Sequence, residues 1–166
     1  MNLSGFQPFQ FDLRHCVDKI DLTAVVNALL KDAECTNADE IKNLARELTV
    51  ERNAFRSSNP QDIQKYRSYV PKCVKLTTAI PWNSHKCVKM IKPGFQWGYS
   101  RDSKYVLNPE MSLMIDVLAC LYNCITIQCN QASYTDDLKT RAQELSKATY
   151  YCKLAVKMSQ KYASHL

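Results

Sequence analysis

Glycine is the scarcest small residue in this chain, with three in 166 residues, and proline accounts for only six. So few glycines leave no room for a phosphate-cradling P-loop or a dinucleotide-binding Gly-x-Gly-x-x-Gly turn. Few breakers also mean few long linkers, and the length suits a single domain covering residues 1–166. No N-terminal stretch joins a basic start to an apolar core and a small-residue cleavage site, so nothing directs the chain into a secretory route. No self-similar period of roughly 20–50 residues marks a solenoid. Lys-Cys-Val-Lys occurs at 72–75 and 86–89, but the two copies fall in different expected elements. His15, His85 and His165 have no serine or cysteine nearby in a nucleophile arrangement, so no catalytic residue is assigned. No cofactor is expected either.

Cysteine, by contrast, is plentiful: Cys16, Cys35, Cys73, Cys87, Cys120, Cys124, Cys129 and Cys152. Eight thiols in a chain well supplied with aliphatics and lacking a signal peptide point to reduced residues in a cytoplasmic protein. Cys120, Cys124 and Cys129 invite a metal reading, but zinc needs four ligands and usually two close pairs. Packing thiols are the expectation, because buried cysteine behaves as a small hydrophobe.

The dominant feature is Met111 to Asn130. Between Leu113 and Ile127, 12 of 15 positions are apolar, interrupted only by Asp116, Asn123 and Thr126. A helix apolar all round is a membrane span or the centre of a helical assembly. The run falls short of about 18 uninterrupted apolar residues and carries an acid and an amide. It is therefore read as a central rod, with Leu118, Leu121 and Asn123 in the core. Asp116 and Asn123 lie seven apart on nearly one face. They form a polar relay or, the preferred reading, each bonds a neighbouring element: Asp116 a basic partner, Asn123 a backbone group of the hairpin or N-terminal strand.

Around this rod the pattern gives mostly α structure with a small β-sheet, an α+β class with about five helices. Phe6 to Leu13 alternates aromatic and polar residues as a strand. Asp21 caps a helix carrying Leu22, Val25, Val26, Leu29 and Leu30. Asn37 with Glu40 resembles a capping box opening a second helix. Its packed face holds Ile41, Leu44, Ala45, Leu48 and Phe55, and its solvent face Lys42, Arg46, Glu47 and Arg52. Asn59-Pro60 starts a third helix lined by Ile63, Tyr66, Tyr69, Val70 and Val74, which Pro71 should kink or end early. Cys87–Ile91 and Phe95–Tyr99 flank Lys92-Pro93-Gly94 and suggest a hairpin. Its second strand puts Phe95, Trp97 and Tyr99 on one face, against the N-terminal strand. A long helix from about Thr135 to His165 closes the chain. Its expected seam against the rod is Leu138, Ala142, Leu145, Thr149, Cys152, Val156, Ser159 and Ala163.

Charge is unevenly spread: residues 60–105 carry a net +7 within a total of +6. Around the expected hairpin, Trp82, Lys86, Lys89, Lys92, Arg101, Lys104 and Tyr105 interleave basic and aromatic groups. These are the candidate binding residues, suited to an acidic protein segment first and an anionic membrane surface second. The alternative is a basic helical nucleic-acid-binding protein, for which no recognised motif is present. Tyr105-Val106-Leu107 is expected to tuck under the sheet.

The order of elements resembles the N-terminal part of the BRO domain of Alix-like, ESCRT-associated scaffold proteins. Tyr66 and Tyr69 on a helix ending at Ile80-Pro81 are similar to that family's tyrosine-bearing helix. Phe95-Gln96-Trp97 resembles its Phe-Thr-Trp strand, Leu121-Tyr122-Asn123-Cys124 its Leu-Phe-Asn run, and Leu138-Lys139 its Leu-Lys helix start. The resemblance spans nearly the whole chain but only the front half of a family domain. Pro71 interrupts a helix that is continuous in the family. The second half of the family domain, with its tetratricopeptide-like helices and ESCRT-III-binding groove, has no counterpart in these residues. The resemblance implies a non-enzymatic scaffold working with ESCRT proteins at endosomes, with ESCRT-III subunits among its partners. A half-domain is also expected to leave an apolar face open to homo-oligomer formation.

Overall fold

The computed structural model describes residues 11–31, 36–58, 60–98 and 110–163. Its elements run β1 (His15–Cys16), α1 (Leu22–Leu30), α2 (Ala38–Ser57), α3 (Ile63–Ala79), α4 (His85–Ile91), β2 (Trp97–Gly98), α5 (Met114–Ser133) and α6 (Leu138–Ala163). The chain is mostly helical with a small two-stranded antiparallel sheet, and buried residues from all six helices join one core.

Helix α5 is the axis. Thirteen of its residues are buried, including Asp116, Asn123, Thr126, Gln128 and Asn130. Helices α3 and α6 pack along it, while α1 and α2 pair with each other beside α3. Leu121 and Asn123 lie in the core as expected, and Leu118 is half-buried. Two of these polar side chains, Asn123 and Asn130, hold the N-terminal segment. Asn123 accepts from the Arg14 N–H at 2.7 Å and donates to the Arg14 carbonyl at 3.0 Å. Asn130 does the same for Phe11, at 2.8 and 3.0 Å. Seven residues of helix rise about 10.5 Å, and three extended residues span about 10 Å, so the two amides match the strand repeat.

Strand pairing differs from the expected hairpin. His15 pairs with Gly98 and Cys16 with Trp97, so the Trp97 strand does meet the N-terminal segment. The contact lies just beyond the Phe6–Leu13 stretch, whose first five residues fall outside the described ones. The other expected hairpin strand, Cys87–Ile91, is helix α4. Ser84 caps it, accepting from the Cys87 N–H at 3.3 Å, and Cys87 and Ile91, one helical turn apart, point to the same buried side. Phe95 pairs instead with Glu110, through bonds of 2.7 and 2.9 Å. Gly94 permits this with a φ of +134°, and a Cβ there would sit 2.7 Å from the Glu110 carbonyl oxygen. Phe95 and Trp97 are both fully buried, and Tyr99 falls outside the described residues.

Several helix details also differ. Asp21 caps α1 as expected, accepting from the N–H groups of Thr23 and Ala24. Asn37 precedes α2 without a side-chain cap bond, and Glu40 reaches Lys75 on α3 rather than back to the helix start. The third helix begins at Ile63 with Asp62 as cap, later than the expected Asn59-Pro60 start. Pro71 neither ends nor splits α3, which runs unbroken to Ala79. It sits on the exposed side, where water can take up the carbonyl bond it frees. Tyr66, Tyr69 and Val70 before it and Cys73 and Leu76 after it anchor both halves in the core.

The α6 seam is displaced. Leu138, Ala142, Leu145, Thr149, Cys152, Val156, Ser159 and Ala163 are all exposed. The packed row is the adjacent one, through Arg141, Glu144, Ala148, Tyr151, Ala155 and Met158. It has the same alternation of three and four, buries the larger Tyr151 and Met158, and lets Arg141 cap α5. Arg141 donates to the Thr135 carbonyl at 2.7 Å and to the Ala132 carbonyl at 3.1 Å, a cation where the α5 dipole favours one.

Asn123→Leu strips both partners from the Arg14 backbone. Denaturant unfolding should show a loss of about 1–3 kcal/mol with little change in slope. A neutral or stabilised variant would remove the amide clamp as a reason for the N-terminal docking.

Candidate functional site

Helix α4 presents the described part of the basic zone. Lys86, Lys89 and Met90 on α4, and Lys92 just after it, are exposed, while Cys87 and Ile91 anchor the opposite side. Lys86 Nζ donates to the Ala28 carbonyl at 2.7 Å, near the end of α1. Lys89 and Lys92 point a like charge outward from the same surface. Trp82 does not join them. It is buried, its indole N–H donating to the Thr77 carbonyl at 3.1 Å and its ring set edge-on to Phe95 at 5.5 Å. It is thus a mount for the basic surface, not a stacking platform. Arg101, Lys104 and Tyr105, with Val106 and Leu107, lie outside the described residues.

A charged cluster lies in the core. Asp116 on α5 accepts from Arg52 Nε at 2.6 Å, Arg52 Nη2 at 3.1 Å, the Tyr69 hydroxyl at 2.7 Å and the Trp97 indole at 2.7 Å. Its four acceptor positions are thus filled. Asp18 takes the other edge of the same guanidinium at 2.5 and 2.8 Å, and also accepts from the N–H groups of Ile20 and Gln96. Burial works against the Arg52 charge, but Asp116 and the Asp18 hydrogen bonds outweigh it, holding the guanidinium protonated well above its usual range. The cluster is a structural joint between α2, α3, α5, β2 and the segment after β1. The side chains of Arg52, Asp18 and Asp116 are nearly closed to solvent.

The expectation that Asp116 pairs with a base holds, but the base is Arg52, placed above on the solvent face of its helix. Its spacing carried the signal. Ile41, Ala45, Leu48, Arg52 and Phe55 step by four and three along one buried face. Asp18, on irregular chain, gave no periodic sign.

The thiols show where reactivity is low. The seven described cysteines are free, and Cys16, Cys73, Cys87, Cys120 and Cys124 are buried. Burial pushes the Cys87 thiol up to about 11 and the Cys124 thiol up to about 12, and raises Cys16, Cys73 and Cys120 strongly. Among the described residues, no three His, Cys, Asp or Glu side chains gather in a way that could hold a metal ion. His15 is buried in β1 and His85 is exposed at the start of α4, while His165 lies outside the described residues. An open cleft of about 460 Å³ lies at the α5–α6 turn, lined by Gln61, Ile127, Asn130, Tyr134, Thr140 and Glu144 among others. Sequence spacing gave no hint of it, because its walls come from three separate segments. No helix among the described residues is long and apolar enough to cross a membrane.

Comparison with protein-family models, curated proteins and solved structures yields no match.

The buried thiols set a pH dependence. Above about pH 9 unfolded thiols lose protons that the folded chain retains, so the unfolded state binds fewer protons and stability falls as pH rises. Urea midpoints measured from about pH 8 to about pH 11 should decline, and Cys124→Ala should flatten the decline. A flat wild-type profile would contradict the assignment of these thiols to a dry interior.

Proposed function

We propose that this chain is a non-enzymatic adaptor, similar to the front half of a BRO domain, that binds ESCRT-pathway proteins in endosomal sorting or membrane remodelling. The observation that carries the reading is the exposed lysine surface of Lys86, Lys89 and Lys92 with Met90. It is mounted on a core aromatic pair, Trp82 and Phe95, and has no acid within α4 itself. Cations beside an exposed apolar side chain suit an acidic protein segment, and the same charges suit an anionic lipid surface as a second contact. The element order supports the resemblance: a Phe-x-Trp strand joined to the N-terminal segment, an apolar rod bearing Asn123, and a long helix behind it. On this reading the protein works in the cytoplasm at endosomal membranes, with acidic segments of ESCRT-pathway proteins as its first candidate partners and ESCRT-III subunits as one class among them.

The nucleic-acid alternative needs aromatic faces open to bases. Burial of Trp82 withdraws the one aromatic candidate among the described residues of the zone. The protein-partner reading therefore stands first.

The test is a titration against acidic ESCRT-III C-terminal peptides, anionic vesicles and an oligonucleotide, at low and high salt. The wild type should bind peptide, more weakly at high salt. A Lys89→Glu/Lys92→Glu double variant should lose about tenfold in affinity at unchanged helical content. Salt-dependent oligonucleotide binding with no peptide or vesicle signal would overturn the proposal.

A further inference from the structure

The open cleft at the α5–α6 turn has hydrogen-bonding walls that are unevenly committed. Asn130 spends its side-chain amide on Phe11, accepting from the N–H and donating to the carbonyl. The Thr140 hydroxyl donates to Asp137 at 2.5 Å, and the Thr135 hydroxyl donates to the Gln131 carbonyl at 3.0 Å. Each of these hydroxyls therefore faces the cleft with only lone pairs to offer. Glu144 goes further. One of its carboxylate oxygens accepts from Lys147 Nζ at 3.1 Å, while the other is closed to solvent and has no hydrogen-bond partner among the described residues. A buried carboxylate oxygen without a donor is costly, so it marks a place where a donor is still to come.

We infer that this cleft binds the cationic head of a small organic amine, an ammonium or guanidinium group, with Glu144 as its counter-ion. The inference goes beyond the adaptor reading and does not depend on it, because no cleft residue belongs to the α4 lysine surface. The donor count selects this chemistry. Ammonium and guanidinium groups carry donors and no acceptor, which matches walls whose hydroxyl donors are spent and whose acceptors are open. Charge agrees with it. The cleft lies at the C-terminal end of α5, where the helix dipole is negative, and the exposed Asp136 and Asp137 follow in the turn. The nearby cations are already engaged: Arg141 on the Ala132 and Thr135 carbonyls, and Lys147 on the first Glu144 oxygen. Buried Ile127 and the exposed ring of Tyr134 add apolar surface for an alkyl stem, and the ring face suits a cation. A volume of about 460 Å³ is that of a small-molecule site.

Butylguanidinium, compared with its uncharged isostere butylurea, tests this by NMR titration of the full chain. Butylguanidinium should shift the Ile127 methyl signal and the Gln131 and Thr140 amide signals saturably, with a Kd of about 1 mM that weakens with salt. Butylurea should bind about tenfold more weakly, because it brings no charge to Glu144. Glu144→Gln keeps the side chain's size and should weaken butylguanidinium binding about tenfold at unchanged helical content. Absence of saturable shifts at the cleft, equal binding of butylurea, or an affinity untouched by Glu144→Gln would each overturn the inference. The butylurea comparison is made on the wild type, so it stands whatever the variant does to folding.

Discussion

Arg52 sits between two carboxylates, and the arrangement of the molecule follows from keeping it there. Its guanidinium uses one edge on Asp116 from the central rod and another on Asp18 from the N-terminal segment. Tyr69 from α3 and the Trp97 indole fill the remaining positions on Asp116. Five parts of the chain, α2, α3, α5, β2 and the segment after β1, therefore converge on a single charged point nearly closed to solvent. Such a cluster adds little to stability relative to a well-packed apolar one, but a half-satisfied version is costly. Its effect is to make alternative registers of α2, α3 and β2 unfavourable, since each would strand a buried charge. The aromatic shell tightens this: Phe55 stacks on Tyr66 at 5.0 Å and meets Tyr69 and Trp97, while the Arg52 guanidinium lies 5.1 Å from the centre of the Phe95 ring.

The same logic explains the polar residues along the apolar rod. Asp116, Asn123 and Asn130 recur every seven residues on α5, and each faces chain that lies far away in sequence. The first closes the charged joint, and the other two clamp extended backbone that has only a short β partner. A rod with no polar positions would pack as well, yet would fix neither the register nor the direction of the N-terminal segment. Helix α6, on the far side, needs no such device because Arg141 already ties it to the end of α5.

Legibility in the sequence tracked the kind of force at work. The apolar rod, the Asp21 cap and the helical class rest on local spacing and were readable. So was a partner for Asn123, because a buried amide must bond. Readings failed where two patterns of equal period competed. On α6 both rows step by three and four, and only the tertiary bonds of Arg141 and the bulk of Tyr151 decide between them. Arg52 was set on the solvent face because charge outweighed its position in the buried series. Cys87–Ile91 was too short for period two and period four to be told apart. Pro71 is a helix breaker by its local chemistry, but its solvent-side position and the anchored tyrosines before it keep α3 continuous, against the expectation that it ends early. Of the candidate binding residues, the lysines of α4 stand at the surface, whereas Trp82 is core; a large aromatic beside a charge run gives no local sign of which way it turns.

The most direct check on this account is the unfolding free energy of Arg52→Met, measured by denaturant titration against the wild type. Leaving Asp18 and Asp116 without their shared cation should cost about 3–5 kcal/mol and lower the midpoint accordingly. A loss below about 1 kcal/mol would show that the charged joint is dispensable and that the five parts it joins are positioned by apolar packing alone.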